Sequence, residues 1–213
     1  MNRMWMSGLP LIFLACAVES PPPNPASRLD ELESRLLAAD TVRFAYRVRA
    51  DGAVEVELAG NVSIVEDRIE VTGAGHFAGQ PVEMFVRGDA GHYEFGNRTT
   101  HERRPTPGEL REAILIGFTR MGILHNLARL SGAAPPDHAD GGVRQWVTAD
   151  SIGMDPADSA SVSFRLTVAG QASGHASLRI DEAGLPVIRH QTVQFPSGEM
   201  RVEERYSAVR ISP

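Results

Sequence analysis

The sequence predicts an α+β fold that is mainly β: a strongly curved antiparallel sheet or incomplete barrel of about eleven strands, closed by two to three helices. Three observations lead there. The stretch Ala176 to Ile211 reads as three strands joined by two tight turns. The same alternation of apolar and polar residues recurs from Val42 to Phe95 and from Val143 to Val168. Two segments, Ser27 to Ala39 and Pro107 to Leu130, switch to helical spacing.

In the closing meander, Leu178 and Ile180 alternate with Ser177, Arg179 and Asp181, the period of a half-buried strand. Asp181-Glu182-Ala183-Gly184 turns the chain. Leu185, Val187, Val193 and Phe195 then share a face. Pro196-Ser197-Gly198 makes the next turn, and Met200, Val202, Tyr206 and Ala208 share a face of the last strand. A sheet with one apolar face needs that face covered.

Composition narrows the function classes. The chain has 213 residues and a formal charge of −6, and every one of its 21 basic residues is arginine. The acidic balance argues against nucleic acid as a partner, since phosphate binding needs a positive field, although arginines could still gather locally. The single cysteine, Cys16, excludes an intrachain disulfide.

Residues 1–15 read as a signal peptide: Arg3 supplies the positive start, and Leu9 to Ala15 is an apolar run too short to span a membrane. Phe13-Leu14-Ala15-Cys16 resembles the bacterial lipobox, which makes Cys16 the lipid attachment site. Ala15-Cys16-Ala17 also reads as an A-x-A cleavage site, so a soluble secreted form is the alternative. Residues 16–26 then form the lipidated cysteine and a proline-rich tether, and residues 27–213 one domain.

Ser27 is the expected cap of the first helix, with Leu29, Leu32, Leu36 and Leu37 on one stripe and Glu31, Glu33 and Arg35 on the wet side. Six strands follow. Val42, Phe44, Tyr46 and Val48 open the run, Asp51-Gly52 turns it, and the others fall at Val54 to Leu58, Val62 to Val65, Arg68 to Thr72, Val82 to Arg87 and His92 to Phe95. Thr106-Pro107-Gly108-Glu109 reads as a capping box. The segment after it is apolar nearly all round, with Gly117 and Gly122 dividing or kinking it. Ala133 to Gly142 is a loop, strands resume at Val143 to Thr148, and Asp150 to Ser159 is a second loop. Val162, Phe164, Leu166 and Val168 then give the clearest alternation in the chain.

No catalytic motif stands out. His101-Glu102 lacks the second histidine of H-E-x-x-H, and there is neither a G-x-S-x-G elbow nor a P-loop. Asp137-His138-Ala139-Asp140 offers ligand types without a closing partner, so no metal site is assigned and no cofactor is expected.

The order of these elements resembles the LolA/LolB lipoprotein-carrier superfamily, and the LppX and LprG lipoproteins are similar in plan. Ile180-Asp181-Glu182-Ala183-Gly184-Leu185-Pro186, Phe195-Pro196-Ser197-Gly198-Glu199-Met200 and Glu203-Glu204-Arg205-Tyr206 have the texture of that family's C-terminal half. The resemblance implies an incomplete barrel closed by helices around an apolar cavity for acyl chains, and an arginine that latches the lid, for which several positions here qualify. On that basis the expected protein is a non-enzymatic lipoprotein on the periplasmic face of the outer membrane, or else a soluble periplasmic or secreted one. It would bind lipid or lipoprotein acyl chains. Candidate ligand-binding residues are Phe44, Tyr46, Phe164, Leu166, Val193, Phe195 and Tyr206 on the sheet, with Phe118 and Met121 on the helical insertion. Taken singly, each is better explained by core packing, and the ligand expectation rests on the set. A second expectation is therefore a structural or interaction lipoprotein with a filled core, docked on another envelope protein.

Overall fold

The computed structural model describes residues 24–97, 99–106, 108–132 and 142–213, without the side chains of 128–132 and 195. The expected signal peptide, Cys16, most of the tether and the Asp137–Asp140 run lie outside the described residues.

The chain opens with α1 (Pro25–Ala38) and continues through β1 (Thr41–Gly52), β2 (Val56–Val65), β3 (Arg68–Phe77), β4 (Gln80–Gly88), β5 (His92–Gly96) and β6 (His101–Pro105). Helices α2 (Leu110–Arg120), α3 (Ile123–Gly132) and α4 (Val143–Trp146) follow. Then come β7 (Val147–Asp155), β8 (Asp158–Val168), β9 (Gln171–Ile180), β10 (Pro186–Phe195) and β11 (Gly198–Ser212). All eleven strands form one antiparallel sheet in the order β6-β5-β4-β3-β2-β1-β11-β10-β9-β8-β7. Two meanders thus meet at the β1–β11 pair, where Tyr46 stands opposite Tyr206. The sheet is not closed on itself: β6 and β7 are its edges.

The helical insertion falls after the sixth strand, as expected, but the six are divided differently: Val54 to Leu58 and Val62 to Val65, expected as two strands, run as the single strand β2, and β6 was not expected. Several details differ. The cap of α1 is Asn24, whose side chain accepts from the Ala26 amide at 3.0 Å, because Pro25 takes the first helical position ahead of Ser27. The cap of α2 is Glu109, without a side-chain bond, and Thr106 lies before it. Val143 to Trp146 forms a turn of helix where a strand was expected. Val143 and Val147 fit helical spacing as well as alternation over so short a run, and Trp146 fits the helix alone. Asp150 to Asp155 belongs to β7, disguised by a register shift between Asp150 and Gly153 with Ser151 at φ 54°.

Two further irregularities move side chains between faces. Pairing shifts between Pro186 and Ile188 and leaves Val187 exposed. Ala208, at φ 52°, lies where the β1–β11 register slips from Arg43↔Arg210 to Ala45↔Ser207. It is exposed, and Val209 and Ile211 pack inward in its place.

The even-numbered residues of β1, Val42 to Ala50, point into the core. Leu29, Leu32 and Leu36 of α1 enter the same apolar cluster, as do Ile114, Leu115 and Phe118 of α2 and Ile123 and Leu127 of α3. Both helical segments therefore cover one face of the sheet.

Candidate functional site

The site is built where the helices meet that face. Phe44 on β1, Tyr206 on β11 and Phe118 on α2 form an aromatic trio. Phe118 stacks on Phe44 at 4.4 Å between centroids and meets Tyr206 edge-on at 4.7 Å. Beside it, Tyr46 lies flat across β2 and donates its hydroxyl to the Thr72 carbonyl at 2.8 Å. Only glycine permits this, since a Cβ on Gly60 or Gly73 would fall 2.6 Å from that oxygen. Met121 and Leu166 share a second cluster with Val147 and Val168, and Phe164 lies in the main core. Val193 is half-buried, and Phe195 ends β10. The structure thus joins Phe44, Phe118 and Tyr206 in one contact group and Met121 with Leu166 in another.

Four buried charges hold this interface, and none of them is among the expected site residues. Glu33, expected on the wet side of α1, is fully buried because it lies one turn from both Leu29 and Leu36. Arg120 at the end of α2 grips it with two bonds, Nε to Oε1 at 2.7 Å and Nη2 to Oε2 at 2.6 Å. Arg120 Nη1 also donates to the Val147 carbonyl at 2.7 Å. The Thr119 hydroxyl adds a bond to Glu33 at 3.0 Å.

The other two charges come from the sheet. Arg189 and Glu204 are register partners on β10 and β11, and both are buried. Arg189 Nη2 donates to the Arg120 carbonyl at the C-terminal end of α2. Glu204 accepts the Ile123 amide at 2.8 Å and the Leu124 amide at 3.0 Å at the N-terminal end of α3, and also the Tyr206 hydroxyl at 2.6 Å. A cation thus meets the negative end of one helix and an anion the positive end of the next. Gly122, at φ 86°, sits between them. A Cβ there would lie 2.6 Å from both Arg189 Nη1 and Glu204 Oε1. Burial, and then the Glu204 charge, push the Tyr206 and Tyr46 phenols well above their ordinary value. The signal for these residues was parity: Arg189 shares it with Val193, and Glu204 with Val202 and Tyr206.

Away from this clip the covered face opens. A cleft of about 590 Å³ lies at the β4–β6 wing, walled by Val82, Met84 and Phe95 and bordered by Asn97, Thr99, Thr100 and His101. Val82 and Met84 are half-exposed yet pack on the core, so the cleft continues the apolar face beyond the helices. Among the described residues no three His, Cys, Asp or Glu side chains gather as a metal would require, and no helix is long and apolar enough to cross a membrane.

No family model matches the sequence, and no curated protein matches it. Solved structures similar to it include LolA-like ones. A LolA superfamily protein from Nitrosomonas europaea is 10% identical, with a TM-score of 0.38, over 90% of this chain and 94% of that one. An uncharacterized conserved protein from Thermus thermophilus is 10% identical, with a TM-score of 0.44, over 88% and 86%. A Vibrio parahaemolyticus domain provisionally described as an outer membrane lipoprotein-sorting protein is 9% identical, with a TM-score of 0.32, over 87% and 91%.

Proposed function

We propose that this protein is a non-enzymatic binder or carrier of lipid or lipoprotein acyl chains. The observation that carries the reading is the cleft at the β4–β6 wing, which extends the apolar core to the surface at Val82 and Met84. An acyl chain laid there would advance between sheet and helices as α2 and α3 lift. The clip suits such a lid. It holds the helices through a few polar bonds at a glycine break, and Arg189 is the position best placed for the latching arginine that the family resemblance implies. Affinity would come from buried apolar area, at about 25 cal/mol per Å² less ordering costs, so selectivity among chains should be low. Attachment through Cys16 to the periplasmic face of the outer membrane completes the reading, with the proline-rich run holding the domain off the bilayer.

The test is titration of the protein with a fluorescent long-chain fatty acid and with a short water-soluble analogue, beside mass spectrometry of organic extracts. Saturable binding of the long chain alone is expected. Val82→Arg, at a half-exposed position, should abolish it while leaving the fold intact. A second reading, an interaction lipoprotein with a filled core, draws support from the tight Phe44–Phe118 stack. It takes over if neither probe binds and no lipid copurifies.

A further inference from the structure

On the outward face of the sheet, three arginines of the flanking hairpins are paired: Arg87 with Glu70 at 3.1 Å, Arg165 with Asp150 at 2.9 Å and Arg201 with Glu199 at 2.8 Å. The pattern breaks at the central β1–β11 junction. Register sets Arg43 opposite Arg210 and Arg47 opposite Arg205. Like charges directly opposite one another destabilise an antiparallel pair. The neighbouring strand β2 brings no relief, since it sets Ser63 against Arg43 and Ala59 against Arg47. Arg205 has Glu203 at 2.7 Å, and Arg49 has Glu57 and Glu203 opposite it. Arg43, Arg47 and Arg210 are exposed, and no hydrogen bond or ion pair engages any of them among the described residues. A chain of net charge −6 thus keeps three unmatched cations in the middle of one face.

We propose that this face docks on a bilayer carrying anionic phospholipids, with Arg43, Arg47 and Arg210 taking phosphate oxygens. Arg43 and Arg47 are four residues apart, roughly 13 Å along the strand, and Arg210 lies one strand away. That spacing is too wide for one small anion and suits a plane of phosphates. Guanidinium groups bind phosphate oxygens in pairs, and each basic residue held near an anionic surface strengthens binding several-fold. The inference goes beyond acyl-chain binding, because a protein with a filled core could dock in the same way.

The experiment is sedimentation of the full chain with phosphatidylcholine vesicles and with vesicles containing about a third phosphatidylglycerol. The variant is Arg43→Gln/Arg47→Gln/Arg210→Gln, which removes the like-charge register from exposed positions and so should fold at least as well. Any membrane affinity of the N-terminal segment is common to both proteins. The wild type should prefer the anionic vesicles by roughly 100-fold at low salt, with the preference shrinking as salt rises, and the variant should bind both alike. Equal binding of the wild type to both vesicles, or a preference retained by the variant, overturns the proposal. Binding of polyglutamate without vesicle preference also overturns it and assigns the face to an acidic protein partner. Fatty-acid titration of the same samples should be unchanged in the variant, so a failed cavity and a failed docking face are told apart.

Discussion

Replacing Glu33 by leucine should destabilise the protein far more than its place on an amphipathic helix suggests. The carboxylate receives Nε and Nη2 of Arg120 and the Thr119 hydroxyl, and the two charged side chains are only 0% and 11% exposed. Glu33→Leu leaves the guanidinium buried with only carbonyl partners, chiefly Val147. Removing one member of such a pair costs about 3–5 kcal/mol. For a chain of this size that corresponds to a melting point lower by roughly 6–20 °C. Arg120→Met should cost about as much, by stranding the carboxylate. The double variant Glu33→Leu/Arg120→Met should recover most of the loss. An apolar pair of similar volume is often neutral, and the donor withdrawn from Val147 accounts for about 1–2 kcal/mol. Urea unfolding of the four proteins, with m-values compared, measures the coupling. A single variant within about 1 kcal/mol of wild type, or a double variant as unstable as the sum of the singles, would refute the assignment of these charges to one buried pair.

Gly122→Ala should cost about 2–5 kcal/mol, because left-handed strain adds to the collision with Arg189 and Glu204. Gly79→Ala, at φ 75° with open space around its Cβ, should show the strain alone, about 1–2 kcal/mol, and equal losses by chemical denaturation would dismiss the close approach. Tyr46 and Tyr206 have phenol pKa values raised above the unfolded value of about 10. Their contribution is therefore complete below that pH and is lost as pH rises through and beyond it. Stability measured from about pH 9 upward should fall in the wild type and fall less steeply in Tyr206→Phe; identical slopes would contradict the raised value.

The sequence by itself determined a mainly β chain, the place of the helical insertion and the face that most of the long strands bury; the count of eleven agrees only because the joining of Val54 to Leu58 with Val62 to Val65 offsets the unexpected β6. Alternation such as Val162-Phe164-Leu166-Val168 depends only on near neighbours along the chain, and all four of these side chains are buried. Local signals misled where two periods fit one short run, at Val143 to Val147, and where a bulge reversed the faces, at Val187 and Ala208. The aromatic trio was legible as a set of inward residues but not as a contact, since Phe44, Phe118 and Tyr206 come from distant parts of the chain. The polar clip was legible only as an anomaly of parity. A charge among apolar residues reads as an exception until its partner is known: Arg120 acquires Glu33 only when α2 packs on α1, and Arg189 and Glu204 acquire their partners only when β10 and β11 run beneath the break at Gly122. The unmatched arginines likewise needed register: Arg43 and Arg210 are ordinary outward residues on their own strands and become neighbours through the pairing of the first strand with the last, a contact that spans nearly the whole chain.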